Sequence, residues 1–242
     1  MKLDSFKLKI LVMLLMILDH VNAYLPNMPI WFNYLGRLVS PVFAFLVVEG
    51  FFYTSSKLKY ITRLFFWALI MFVGSKTLCF ILPSNRVIHN NIFLSLGLSV
   101  VLMSIFTFIK CTKENKKLMV LGVLLATFIS YLMLYTESSI FGVVMTYIFY
   151  YYRGKKSMPL VYVLVFLVLN LGPLIPQFIN SSPSFIYDNL FLLNTQWMMI
   201  FAIILILLYN GKRGINTKLT KYMFYAFYPL HLWIIYIISC YI

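Results

Sequence analysis

The stretch LKILVMLLMILDHVNAYLP, residues 8–26, decides how the rest of the chain is read. It is long and apolar enough to cross a hydrocarbon core of about 30 Å as a helix. Yet it carries Asp19 and His20 side by side toward its far end. An ionised group at the centre of a lipid-facing helix costs about 2.5 to 3.5 kcal/mol, so such groups face a bundle interior, a water-filled cavity or a partner. The start is basic, with Lys7 and Lys9, but no small-residue cleavage site follows. The run is therefore read as a retained first span rather than a leader peptide.

Similar runs recur along the chain. Its 242 residues are 62% hydrophobic and 11% charged, with a mean hydropathy of +0.91, far from the usage of soluble domains. Apolar runs set against breakers predict an all-α polytopic transmembrane helix bundle of about nine spans, near 8–25, 35–53, 60–82, 91–109, 118–135, 140–152, 159–176, 190–208 and 222–241. The run at 140–152 is short for a full crossing unless the bilayer thins around it, and is otherwise re-entrant. No internal repeat, linker or low-complexity tract appears, so a single domain over 1–242 is expected.

Charge orients these spans. All but Arg37, Lys76 and Arg86 of the 20 basic residues fall on alternate connections. They are Lys2, Lys7 and Lys9; Lys57, Lys59 and Arg63; Lys110, Lys113, Lys116 and Lys117; Arg153, Lys155 and Lys156; and Lys212, Arg213, Lys218 and Lys221. The positive-inside rule then predicts a cytoplasmic N-terminus, an external C-terminus and a multi-pass protein of the cytoplasmic membrane. Topology thus accounts for the net charge of +14 with the lipid bilayer as partner, and nucleic acid is not expected. Cys79, Cys111 and Cys240 show neither pairing nor metal-ligand spacing and read as small core residues. No metal site is expected.

Topology also sorts the polar residues by depth. Asp19, His20 and Arg37 fall in the outer part of the first two spans, and NRVIHNN, residues 85–91, in an outer connection leading into the next. Glu49 lies toward the inner end of its span, next to Gly50; His231 is mid-span, two residues after Pro229. Each has a structural reading beside a functional one. Asp19 either pairs with Arg37 to hold two helices together or biases a neighbouring base. His20 titrates near neutrality and can accept and return a proton. Adjacent residues point about 100° apart around a helix, so Asp19 is not a guaranteed orienter of the His20 ring. His231 either locks a kink at Pro229 or joins the chemistry. His89 reads as a solvated loop residue. The tract YNGKRG, residues 209–214, sets two cations between two glycines at an inner helix end. It is either a turn in a basic connection or a cradle for phosphate.

Several strings resemble, in order, those of the TraX family: LKILVMLLMILDHVNAYLP (8–26), YLGRLVSPVFAFLVVEGFFYT (34–54), KYITRL (59–64), NNIFLSLGL (90–98), LLYNGKRG (207–214) and KYMFYAFYPLHL (221–232). The last two are the most specific, and the central third adds only FGVVMTYIFYYYR. The resemblance implies a membrane-embedded acetyltransferase that takes acetyl from cytoplasmic acetyl-CoA, the acyl donor, and passes it to an exported peptide or surface-polymer acceptor such as a pilin N-terminus. His20 matches the DH string, Arg37 and Pro41 the GRLVSP string, Glu49 the EG string, Asn91 the polar start of the fourth span, and His231 the YPLHL string. Ser40 and Ser95 depart mildly from the family pattern.

In that scheme Lys212 and Arg213, with Tyr209, Asn210 and either Lys57 or Arg63, meet the phosphates of coenzyme A at the inner mouth. His20 is the general base, Asp19 or Glu49 biases its charge, and Asn91 or Arg37 donates to the oxyanion. An acetyl-histidine intermediate stays open beside direct transfer, as do N- and O-acetylation and the oligomeric state. A proton-coupled transporter of a small polar solute is the alternative. It calls for matched Gly- or Pro-broken helices, and none are evident in the sequence.

Overall fold

The computed structural model describes residues 2–82, 87–89, 91–179 and 181–242. Asn85, Arg86 and Asn90 of the outer connection lie outside them. Every described element is helical apart from an isolated parallel bridge between Leu3 and Tyr209. In chain order the α-helices are α1 Ser5–Tyr24, α2 Trp31–Gly36, α3 Val39–Tyr53, α4 Lys57–Ile81, α5 Ile92–Cys111, α6 Lys116–Met133, α7 Ser139–Tyr151, α8 Met158–Leu171, α9 Ile175–Phe178, α10 Pro183–Tyr187, α11 Ala202–Leu207 and α12 Lys218–Ser239. A 3-10 turn, Gly172–Leu174, joins α8 to α9. A π-helical turn, Asp188–Leu193, and a 3-10 segment, Thr195–Phe201, join α10 to α11.

Local chemistry explains the helix ends. Asp4 caps α1 by accepting from the Lys7 amide at 2.8 Å, and Ser56, Asn91 and Asn115 cap α4, α5 and α6 in the same way. Thr217 and Thr220 form a reciprocal capping box at the start of α12. Each such side chain satisfies an amide that the first helical turn leaves without a partner. Helix α1 stops where Leu25, extended at φ −104° and ψ 144°, precedes Pro26, as the proline ring disfavours helical geometry in the residue before it. By contrast, α12 runs unbroken through Pro229.

The chain divides into two compact units, one formed by 1–43 and 154–242 and the other by 44–153. In the first, α1 packs against α2 and α12, and α8 against the Thr195–Phe201 segment and α11. In the second, α5 packs against α4, α6 and α7. Helix α5 is its centre and more than half buried, whereas α6 is mostly exposed and turns Leu121, Leu124 and Phe128 outward. An outward apolar face of that kind suits lipid rather than water.

Six helical stretches among the described residues are long and apolar enough to cross a membrane: Trp31–Tyr53, Lys57–Ile81, Ile92–Cys111, Lys116–Met133, Met158–Phe178 and Lys218–Ser239. A seventh arises if Pro183–Leu193 and Thr195–Leu207, bent by 65° at their junction, count as one broken span. Two of the expected spans lack the signal. Helix α1 has the length but includes Lys7, Lys9 and Asp19. Helix α7 has 13 residues, about 20 Å of rise against a core of about 30 Å. The bend at Asn194 contains neither Gly nor Pro, so no breaker in the sequence announced it. The cysteines are free: Cys111 is exposed and Cys79 and Cys240 are half-buried, because they sit near helix ends rather than in a core.

Candidate functional site

Helices α1 and α12 run parallel, as their ring contacts show: Phe6 meets Phe224 at 5.7 Å and Tyr24 meets Tyr236 at 6.2 Å. Between these contacts His20 faces His231. Nδ1 of His20 lies 2.7 Å from Nε2 of His231, and Nδ1 of His231 lies 2.7 Å from the Phe227 carbonyl oxygen. The ring centroids are 4.9 Å apart with planes 24° from parallel. The nitrogens lie between the rings, so the contact is edge to edge in nearly one plane, as an N–H···N bond requires. Both residues are buried, His20 at 3% exposure and His231 at 8%. The Tyr228 ring stands edge-on to both imidazoles, and the Phe227 ring lies nearly parallel to His231, with centroids 4.8 Å apart.

Asp19 points elsewhere, as the helical rotation between neighbours demands. Its carboxylate sits over α2, where a Cβ on Gly36 would come within 2.1 Å of Oδ1. Only a residue without a side chain lets the two helices approach this closely. Arg37 Nη2 is 3.9 Å from Asp19 Oδ1, both side chains being 25% exposed. Arg37 Nε donates to Asn33 Oδ1 at 3.1 Å, which also accepts from the Thr195 hydroxyl. Of the two readings open to Asp19, the pair with Arg37 between neighbouring helices forms, loosely, with Asn33 aiming the guanidinium.

At the other end of α1 the YNGKRG tract is tied to the N-terminal segment. Leu3 N donates to Leu208 O at 2.7 Å, Asn210 N to Leu3 O at 2.9 Å and Ser5 N to Lys212 O at 2.9 Å. Asn210 Oδ1 accepts from the Lys212 amide at 2.9 Å. Gly211 and Gly214 turn the chain with φ of +77° and +68°, a region costly for other residues. A Cβ on Gly214 would meet the Asp4 carboxyl group at 2.5 Å. Lys212 and Arg213 are exposed on this pinned loop. Lys9 lies close by in sequence on α1, its ammonium 5.1 Å from the Phe224 ring.

The second unit holds its own polar contacts. Glu49 is bridged twice by Arg153, Nε to Oε1 at 2.7 Å and Nη2 to Oε2 at 3.1 Å, a fork-to-fork ion pair. The hydrogen bond that Arg153 donates to Glu49 holds its guanidinium above its ordinary pKa. Phe52 and Tyr53 lie 4.5 and 5.5 Å from the same guanidinium. Asn91 caps α5 through Oδ1 and donates from Nδ2 to the Ala68 carbonyl at 3.0 Å, fastening α5 to α4. Thr146 bonds Ser99 at 3.0 Å, and Ser95 accepts from the Ser138 amide. His89 is exposed. Among the described residues no cluster of three or more His, Cys, Asp or Glu could hold a metal ion.

A family model described as TraX protein matches residues 5–239. The chain belongs to the TraX family. It is also 26% identical, over 95% of its own length and 93% of the relative's, to a protein of Dichelobacter nodosus named probable fimbrial assembly protein FimC, serogroup H1. No solved structure matches.

In this TraX-family protein the match covers both units and every candidate residue. The structure brings His20 to His231 and Asp19 to Arg37, and gathers Tyr209, Asn210, Lys212 and Arg213 on one loop. Glu49 and Asn91 belong to the second unit, where they are engaged with Arg153 and with backbone. Sequence reasoning missed two partnerships. Arg153 was counted only among the basic residues of an inner connection, although it closes the FGVVMTYIFYYYR string. The His231 ring, open between locking a kink at Pro229 and joining the chemistry, bonds the Phe227 carbonyl in a helix that runs unbroken through Pro229.

Proposed function

We propose that this TraX-family protein is a membrane-embedded acetyltransferase that moves an acetyl group from cytoplasmic acetyl-CoA to an amine or hydroxyl of an exported or surface substrate. A pilin-like or secreted peptide N-terminus is the first candidate acceptor, a choice supported by the fimbrial-assembly name of the Dichelobacter relative. The observation that carries the reading is the buried His20–His231 bond on two parallel helices whose N-terminal ends adjoin the basic loop. From Lys9 to His20 the helix rises about 17 Å, within reach of a pantetheine arm whose phosphates rest on Lys212 and Arg213.

His20 takes the proton that an acceptor ammonium must lose. The amine nitrogen then bonds the acyl carbon and gives up a second proton to solvent, the carbon–sulfur bond breaks, and His20 returns the first proton to the departing sulfur. Arg37, aimed by Asn33, donates to the oxyanion, while Asp19 supplies the counter-charge that keeps the guanidinium in the bundle. Glu49 and Asn91 hold the scaffold. The topology that goes with this reading has nine crossings, with the N-terminus cytoplasmic and the C-terminus outside in the cytoplasmic membrane. One contact supports it: the bonds between residues 3–5 and 208–212 put both segments on one side, so an even number of crossings separates them. With α1 crossing, helix α7 and the bent pair therefore both cross or both fail to.

The test is transfer by the purified protein in proteoliposomes, with labelled acetyl-CoA on the loop side and a peptide amine on the other. Labelled peptide that requires the protein supports the reading; none with any amine or hydroxyl acceptor overturns it. One observation favours the second reading, a proton-coupled solute transporter: the 65° bend at Asn194, since broken helices line solute sites in transporters. Solute flux driven by a pH gradient without coenzyme A would select it.

A further inference from the structure

We infer that His231 is the positioning residue that sets His20 in its Nδ1–H tautomer and so presents Nε2 of His20 as the reacting nitrogen. The assignment starts from one carbonyl. The Phe227 oxygen can only accept, so Nδ1 of His231, 2.7 Å away, carries hydrogen. With one proton per ring, Nε2 of His231 is then a lone pair. The nitrogen 2.7 Å from it, Nδ1 of His20, must donate. The lone pair of His20 is left on Nε2, the ring atom across from the relay and farther from its own backbone.

The surroundings hold this arrangement. The rings are nearly coplanar along the bond, Phe227 stacks on His231, and Tyr228 stands edge-on to both. A half-turn of either ring would bring a carbon–hydrogen edge to the partner's nitrogen and lose the bond. The side chain next in sequence, Asp19, faces α2, so orientation of His20 falls to a residue at the other end of the chain. The tautomer follows from geometry alone; calling Nε2 the reacting nitrogen rests on the acyl-transfer reading.

The chain has only 3 histidines, which makes the test direct. The full-length protein, labelled with 15N-histidine and held in bilayers, is examined for ring nitrogens coupled across an N–H···N bond. The expected signal joins a protonated Nδ1 to an unprotonated Nε2, and exposed His89 serves as the unpaired reference. A protonated Nε2 coupled to an unprotonated Nδ1, or no coupled pair, overturns the inference without any variant. In H231Q the His20 ring is expected to relax toward the Nε2–H form favoured by a free histidine. Transfer should then lose about 10- to 100-fold in kcat with KM unchanged, the usual cost of removing a partner that orients a histidine. A His20 tautomer unmoved in a folded H231Q also overturns it. Because the spectra need neither donor nor acceptor, an absence of transfer counts against the acetyltransferase reading, and a wrong tautomer counts against this one.

Discussion

Two polar pairs, one in each compact unit, are built on opposite principles. Glu49 and Arg153 satisfy each other through two parallel charge-assisted bonds, with aromatic rings against the guanidinium. Both carboxylate oxygens are engaged, and the pair is a closed structural clasp. His20 and His231 share one bond, and the second ring nitrogen of His231 is used on a carbonyl. That chain of bonds runs in one direction and leaves a lone pair at its His20 end. Bonding capacity that is used up stabilises, whereas directed capacity that remains is what chemistry can use.

Four variants test this contrast. The largest effect is expected from H20A, which should lower acetyl transfer by about 10²- to 10⁴-fold, the usual share of a general base, in protein that elutes and melts like wild type. Full transfer by H20A would place the chemistry elsewhere. Next, R153L should destabilise the second unit by about 2 kcal/mol, since it strips a charged group of its hydrogen bonds. The loss would be read as a lower melting temperature in detergent, with kcat of the folded fraction within about threefold of wild type. The charge-swapped double variant E49R with R153E should recover part of that stability; recovery of none would show that the surrounding rings, not the ion pair, hold the clasp. The smallest effect is expected from K212A with R213A. Removing two exposed cations should raise KM for acetyl-CoA about tenfold and leave kcat near wild type, because they attract phosphates without touching the reacting atoms.

Much of this protein was legible along the chain because the signals concerned are local. Hydropathy marks the long helices, since each apolar run needs only its own length to cross a bilayer. Depth made the Asp19–Arg37 pair one of the two readings open to Asp19, and the 100° offset of His20 from Asp19 follows from helix geometry. What could not be read was which helix meets which. His20 and His231 are 211 positions apart, and Glu49 and Arg153 are 104; no spacing rule links residues so distant. Nothing in the YNGKRG string announces that residues 3–5 bond to it, and the bend at Asn194 had no Gly or Pro to announce it.

By itself, then, the sequence determined an apolar, multi-helix membrane protein of the TraX type with His20 and His231 as candidates. Only the tertiary structure decided that those two rings meet at hydrogen-bond distance and that Glu49 belongs to Arg153. The reason is physical. Periodicity says which face of a helix is buried, but the partner of that face is set by how helices cross and how closely they pack, as where Gly36 lets α2 come up under Asp19.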